Sequence, residues 1–133
     1  MEDKTKMDEQ EKLQIGIGTK EAEKLEAVEV EIQGSKVQDV MKNDKKLGEK
    51  VVLICKHPKK EEVLQISQVI YLKNKKVITS GIWLNLDEDG LIQKNSVLAF
   101  LLNFYEVPKV GELTGKKVKT EHDDNGYLCI KAY

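Results

Sequence analysis

Apolar and polar residues alternate along most of this chain, the period-two pattern of strands with one buried face. Val28, Val30 and Ile32 share one parity, with Glu29 and Glu31 on the other. After Gln33 and Gly34 the apolar positions move to Val37 and then Val40 and Met41. That change of parity predicts one long strand over residues 25–41, broken by a bulge or bend near Gly34. Residues 42–48 read as a charged loop. The run Val51-Val52-Leu53-Ile54-Cys55 predicts a strand over 50–56 buried on both faces, and His57-Pro58-Lys59-Lys60 ends it.

The next two alternating runs, 64–72 and 77–86, predict a hairpin. A two-residue turn at Asn74-Lys75 would pair Tyr71 with Ile78 and mix the faces. A three-residue loop pairs Leu72 with Ile78 and Ile66 with Leu84, which keeps Leu64, Ile66, Ile70 and Leu72 on one side. The longer loop is favoured on that ground, and it leaves Tyr71 and Trp83 on the more polar face. Asp87-Glu88-Asp89-Gly90 has turn composition. Asn95 or Ser96 then caps a helix from Val97 to about Tyr105. Because Leu98, Phe100, Leu101, Leu102 and Phe104 surround that helix, most of it is expected to be buried, with Val107-Pro108 as its stop. Residues 116–122 and 127–133 form a closing hairpin around Asp124-Asn125-Gly126, with Gly126 in a left-handed position. This register pairs Thr120 with Ile130 and Val118 with Ala132. It turns Leu128 and Ile130 inward and Tyr127, Cys129, Lys131 and Tyr133 outward. At the front, residues 1–12 read as a mobile charged tail, Leu13, Ile15 and Ile17 as a short strand weakened by glycines, and 19–24 as a polar connector. Residues 13–133 then make a single domain.

The element order is long bent strand, strand, hairpin, one buried helix, closing hairpin. It predicts a mainly β fold: an OB-like, five- or six-stranded antiparallel Greek-key barrel with one buried helix between the later strands. The segment running from the helix through "ELTGKKVKT" to "GYLCIKAY" resembles the final section of small OB-fold single-stranded-DNA-binding proteins of phage and archaeal type. In that type a short helix precedes a Gly-Lys-Lys-Val strand, and the last strand ends in a basic and aromatic pair. The resemblance is specific over residues 97–133, and it implies a barrel that binds single strands. The extra strand at 77–86, the lack of Arg and the scarcity of aromatic residues depart from that group.

Charge sharpens the picture. All 22 cationic residues are Lys, so any anion contact lacks the bidentate fork that reads guanine edges or serves as an arginine finger. The formal net charge of −1 conceals an uneven spread: residues 49–86 carry seven Lys against three acids, while the rest carries 15 Lys against 20 acids. A cationic middle between acidic ends suits a phosphate backbone, although Lys-rich hairpins also keep sheet edges soluble. No apolar run approaches the roughly 20 residues of a membrane helix. Met1–Lys12 lacks the apolar core of a secretory signal, and two Cys suit free thiols in a cytoplasmic setting.

Binding a single strand without sequence preference needs aromatic platforms for bases and cations along the backbone. The residues so placed are Trp83, Tyr71 and Tyr127 for stacking, with Lys56, Lys59, Lys60, Lys73, Lys75, Lys76 and Lys131 for phosphates. The competing reading packs the aromatic rings in the core or at a protein interface. Cys55, His57, His122 and Cys129 could supply zinc ligands, but no Cys-x-x-Cys pair exists and the register sends His122 and Cys129 to opposite faces, so no metal is expected. Gly111-Glu-Leu-Thr-Gly115-Lys116-Lys117 has the wrong spacing for a phosphate loop, and the acidic turns at 87–90 and 123–126 lack the calcium-loop pattern. The expectation is therefore no enzyme, no cofactor and a single-stranded DNA or RNA partner. A protein-protein interaction module of the same fold is the alternative, and no membrane partner is expected.

Overall fold

The computed structural model describes residues 9–14, 16–17 and 25–133. Within them, a short helix α1 (Glu9–Leu13) precedes strands β1 (Val30–Lys42), β2 (Lys45–Lys56), β3 (Leu64–Ile66), β4 (Gln68–Lys73) and β5 (Lys76–Gly81). Helix α2 (Val97–Phe104), a 3-10 turn at Val110–Leu113 and strands β6 (Lys117–Val118), β7 (Thr120–His122) and β8 (Leu128–Ala132) follow. The fold is mainly β. In place of five or six strands, the described residues form eight, in two four-stranded sheets ordered β3-β2-β1-β6 and β5-β4-β8-β7.

The higher count arises because two of the expected strands each pass from one sheet to the other. Ser67 separates β3 from β4, and Lys119 separates β6 from β7. At each break a neighbouring strand follows the chain: Ile82 N–H donates to Ser67 O at 2.9 Å, and Lys131 N–H donates to Lys119 O at 2.9 Å. The pairings consequently run in a cycle, from β1 to β2, β3/β4, β8, β7/β6 and back to β1. All are antiparallel except β4 with β8, which is parallel. The curled sheets enclose Val30, Ile32, Val51, Leu53, Ile66, Val69, Ile82 and Ile130, and α2 adds Leu98, Leu101 and Leu102.

Several local expectations hold. The β1–β2 register slips between Ile32 and Gly34, so Gln33 is the extra residue and the core-facing parity changes there. Ser96 caps α2, accepting a 3.2 Å bond from Ala99 N–H at its Oγ. Gly126 has φ +84°, and Thr120 pairs with Ile130.

Others need correction. The charged loop at 42–48 is instead a two-residue turn with Asn43 and Asp44 both left-handed (φ 51° and 62°), which carries both strands to their tips. Asn74 and Lys75 do the same (φ 51° and 66°), so Tyr71 pairs with Ile78 and Leu72 with Val77. Two positive φ angles give the primed turn whose twist matches the strands, and that gain outweighs the mixed faces. Tyr71 is therefore buried in the core and not on a polar face. Cys129, expected outside, is fully buried, its Sγ lying 3.6 Å from Gln68 Oε1 and 3.7 Å from Tyr127 O. Val118 pairs with Val30, not with Ala132.

Helix α2 is less buried than expected. Only Leu98, Leu101 and Leu102 are fully covered, while Phe100 and Phe104 stand about 36% and 46% exposed, since one helix on a sheet has one inward face. Residues 9–12, expected to be unstructured, lie in α1, where Glu9 and Glu11 in the first turn and Lys12 in the last suit the helix dipole. Leu13 ends that helix and Ile17 is fully exposed, so neither shows a strand face. Ile15, residues 1–8 and residues 18–24 lie outside the described residues.

Candidate functional site

A groove of about 580 Å³ runs across β3 and the start of β4 and up to the β7–β8 turn. Lys50, Lys60, Gln65, Gln68, Tyr127 and Leu128 are among its walls, and among the described residues no carboxylate lines it. Two cations, several amides and one aromatic ring thus face a concave surface open to solvent.

Tyr127 owes its position to the turn before it. Asp123 Oδ1 accepts bonds from Asn125 N–H and Tyr127 N–H, both at 2.9 Å, and Gly126 supplies the positive φ that reverses the chain. The ring emerges about 69% exposed.

Trp83 arrives by a different route. After Gly81 the chain leaves β4 and pairs with β2: Val51 N–H donates to Ile82 O and Leu84 N–H to Glu49 O, both at 2.8 Å. Lys50 and Trp83 face each other across that bridge, with Lys50 Nζ 4.9 Å from the ring centroid. At this range over an indole face the ammonium is attracted by the ring quadrupole. Two glycines form the floor: a Cβ at Gly48 would stand 3.3 Å from Trp83 Cζ3, and one at Gly81 would stand 2.6 Å from Lys50 Cε. The partly buried indole therefore packs over Gly48 of β2 beside a groove-lining Lys.

Of the residues expected from sequence, Tyr127 and Lys60 line the groove, and Trp83 adjoins it through Lys50. Tyr71 does not contribute, because its ring is buried 5.4 Å from that of Phe100. Lys59 is exposed but paired with Glu26 at 2.6 Å, and the Lys59 bond and charge hold that carboxyl below its usual range. Lys56 lines a separate small cleft with Glu29, Glu31 and Lys117. Lys131 lies over the Tyr133 ring at 4.8 Å. Lys73, Lys75 and Lys76 sit at the β4–β5 turn, about 16 Å along β4 from Gln68 at the usual strand rise. Sequence reasoning missed Lys50, Gln65 and Gln68, which only the groove's three-dimensional walls bring together.

The thiols and imidazoles are occupied structurally. Burial pushes the Cys55 thiol up to about 12 and that of Cys129 up to about 11, far from the thiolate form that attacks or ligates at neutral pH. His57 Nδ1 accepts from Lys59 N–H at 3.1 Å, which places the ring proton on Nε2, 2.9 Å from Glu26 O. His122 Nε2 lies 2.6 Å from Leu25 O. The two imidazoles thus hold consecutive carbonyls of the segment leading into β1. Among the described residues no group of three His, Cys, Asp or Glu side chains is placed to share a metal ion, and no helix is long and apolar enough to cross a membrane. No protein family, curated protein or solved structure matches the chain, so its own geometry carries the functional argument.

Proposed function

We propose that this protein is an OB-like barrel that binds single-stranded nucleic acid without strong sequence preference, stacking bases on Tyr127 and Trp83 and holding phosphates with Lys50 and Lys60. One observation carries the reading: an open groove with two Lys and an exposed Tyr on its walls, no carboxylate among its described residues, and an indole beside its Lys50 edge. The OB assignment is supported by the cyclic strand order, with helix α2 placed between β5 and the closing strands β6, β7 and β8. Lys in place of Arg fits contacts to phosphate without base readout.

The test is a titration of intrinsic fluorescence with a dT oligonucleotide at low and at moderate salt. Trp83 is the chain's one Trp, so the signal reports on it alone. Saturable quenching that weakens as salt rises is the expected result. An unchanged signal, together with no binding by anisotropy of a labelled oligonucleotide at low salt, overturns the proposal. A second reading, docking of a protein partner, is favoured by exposed Phe100 and Phe104, one turn apart on α2. Binding there would be insensitive to salt and would leave the Trp83 signal unchanged.

A further inference from the structure

The β1–β2 hairpin continues past the groove as an arm, and its two faces differ in chemistry. The register places Lys36, Gln38, Val40 and Lys42 of β1 on one face with Lys45, Gly48 and Lys50 of β2. This is the face on which Trp83 packs over Gly48 and on which Lys50 enters the groove wall. Val37, Asp39 and Met41 lie on the opposite face with Lys46 and Glu49. The ion pairs agree with this partition, since Lys46 Nζ reaches Asp39 at 3.3 Å and Glu49 at 3.6 Å. Both carboxylates of the arm's strands therefore sit on one face, neutralising Lys46, and the other face carries four Lys and no acid.

We infer that the cationic face of this arm is a second contact region for the nucleic-acid backbone, with Lys42 and Lys45 extending towards the tip the path that Lys50 begins and Lys36 flanking Lys50 on the body side. This rests on the single-strand reading above and enlarges it beyond the groove. Lys that merely protect a sheet edge need share no face. Here Lys36, Lys42 and Lys45 are exposed, take part in none of the ion pairs among the described residues, and all face the groove side. From the Gln38–Lys50 rung to the Lys42–Lys45 rung the track adds about 13 Å at the strand rise. A strand that fills the groove and continues in that direction would pass Lys42 and Lys45, which flank Asp44 in the turn.

The experiment compares dT oligonucleotides of about 4 and about 16 nucleotides, the two ends of the range one OB fold covers. Anisotropy titrations across a salt series would use the wild type, a Lys42→Gln/Lys45→Gln variant, and Lys46→Gln as the control from the opposite face. On the long oligonucleotide the double variant should lower the slope of log K against log salt by about 1.4, at about 0.7 per lost phosphate contact. Its slope on the short oligonucleotide should match the wild type, and Lys46→Gln should match the wild type on both. A double variant that keeps the wild-type slope on the long strand, or that weakens both lengths equally, overturns the inference. So does a Lys46→Gln effect as large as one half of the double, because that would be a response to net charge alone. If the wild type binds neither length, the single-strand reading itself fails. Melting curves establish that the variants, all changed at exposed positions, remain folded.

Discussion

Tyr71 and Tyr127 are one residue type in two environments, and their truncation should separate stability from binding. Tyr71 is about 7% exposed, belongs to the core cluster and lies against Phe100 at a 5.4 Å ring separation. Removing such a ring leaves a cavity, so Tyr71→Ala should cost about 3–4 kcal/mol. For a chain of 133 residues each kcal/mol moves the melting midpoint by about 3–5 °C, which gives a fall of about 10–20 °C. Tyr127 is about 69% exposed at the groove and makes no core contact that truncation would empty. Tyr127→Ala should change stability by no more than about 0.5 kcal/mol. It should weaken single-strand binding by about 1–3 kcal/mol, the range for one lost stacking platform, or about 5- to 150-fold in Kd. Thermal melts followed by circular dichroism and anisotropy titrations on folded protein measure the two effects independently. The reasoning is refuted if Tyr71→Ala melts with the wild type while losing affinity. That outcome would restore the three-residue loop and an exposed Tyr71.

Three further outcomes follow from local geometry. Lys75 holds φ 66° in the β4–β5 turn, so Lys75→Gly should raise stability by about 0.5–1 kcal/mol in a urea melt, since Asn-Gly is the preferred primed-turn pair. Ser96→Ala removes the oxygen that accepts from Ala99 N–H and should cost about 1 kcal/mol in the same measurement. The Cys55 thiol is ordinarily at 9.0 and is raised to about 12 by burial, so the folded state keeps its proton where the unfolded state loses it. Its contribution to stability is then constant below about pH 9 and is lost as pH rises from there towards 12. Cys55→Ala should flatten that alkaline decline in a pH series of melts.

What the sequence made legible was set within a few residues. The bulge near Gly34 shows in the parity change, the start of α2 in Ser96, and the presentation of Tyr127 in the Asp-Asp-Asn-Gly turn, because each follows from local backbone chemistry. The two primed turns were obscured because neither contains glycine: Asn43-Asp44 and Asn74-Lys75 take left-handed conformations that only the flanking pairings enforce. The crossings at Ser67 and Lys119 leave no local trace either. Alternation runs through both, and the change of partner belongs to the sheets around them. The surroundings of Cys129 likewise come from far along the chain, since its thiol meets Gln68, 61 residues away, at the start of the parallel neighbour β4.

The same distinction explains why Trp83 stays at the site although the register that first put it there is wrong. Hairpin parity would have grouped it with Tyr71, and Tyr71 is in the core. Trp83 reaches the groove because the chain departs from β4 at Gly81 and joins β2 at Lys50. That departure and the break at Ser67 are one event, tied by the Ile82 N–H to Ser67 O bond. The groove walls at Gln65 and Gln68 straddle this break, and Lys50 and Trp83 sit on the rung beside it. Where a strand changes sheets, regular pairing lapses and the side chains around the seam are left without a covering neighbour. A Lys, an indole and several amides gathered there can meet a ligand without the core being disturbed. The seam that closes the cycle of strands is therefore also what opens the candidate site.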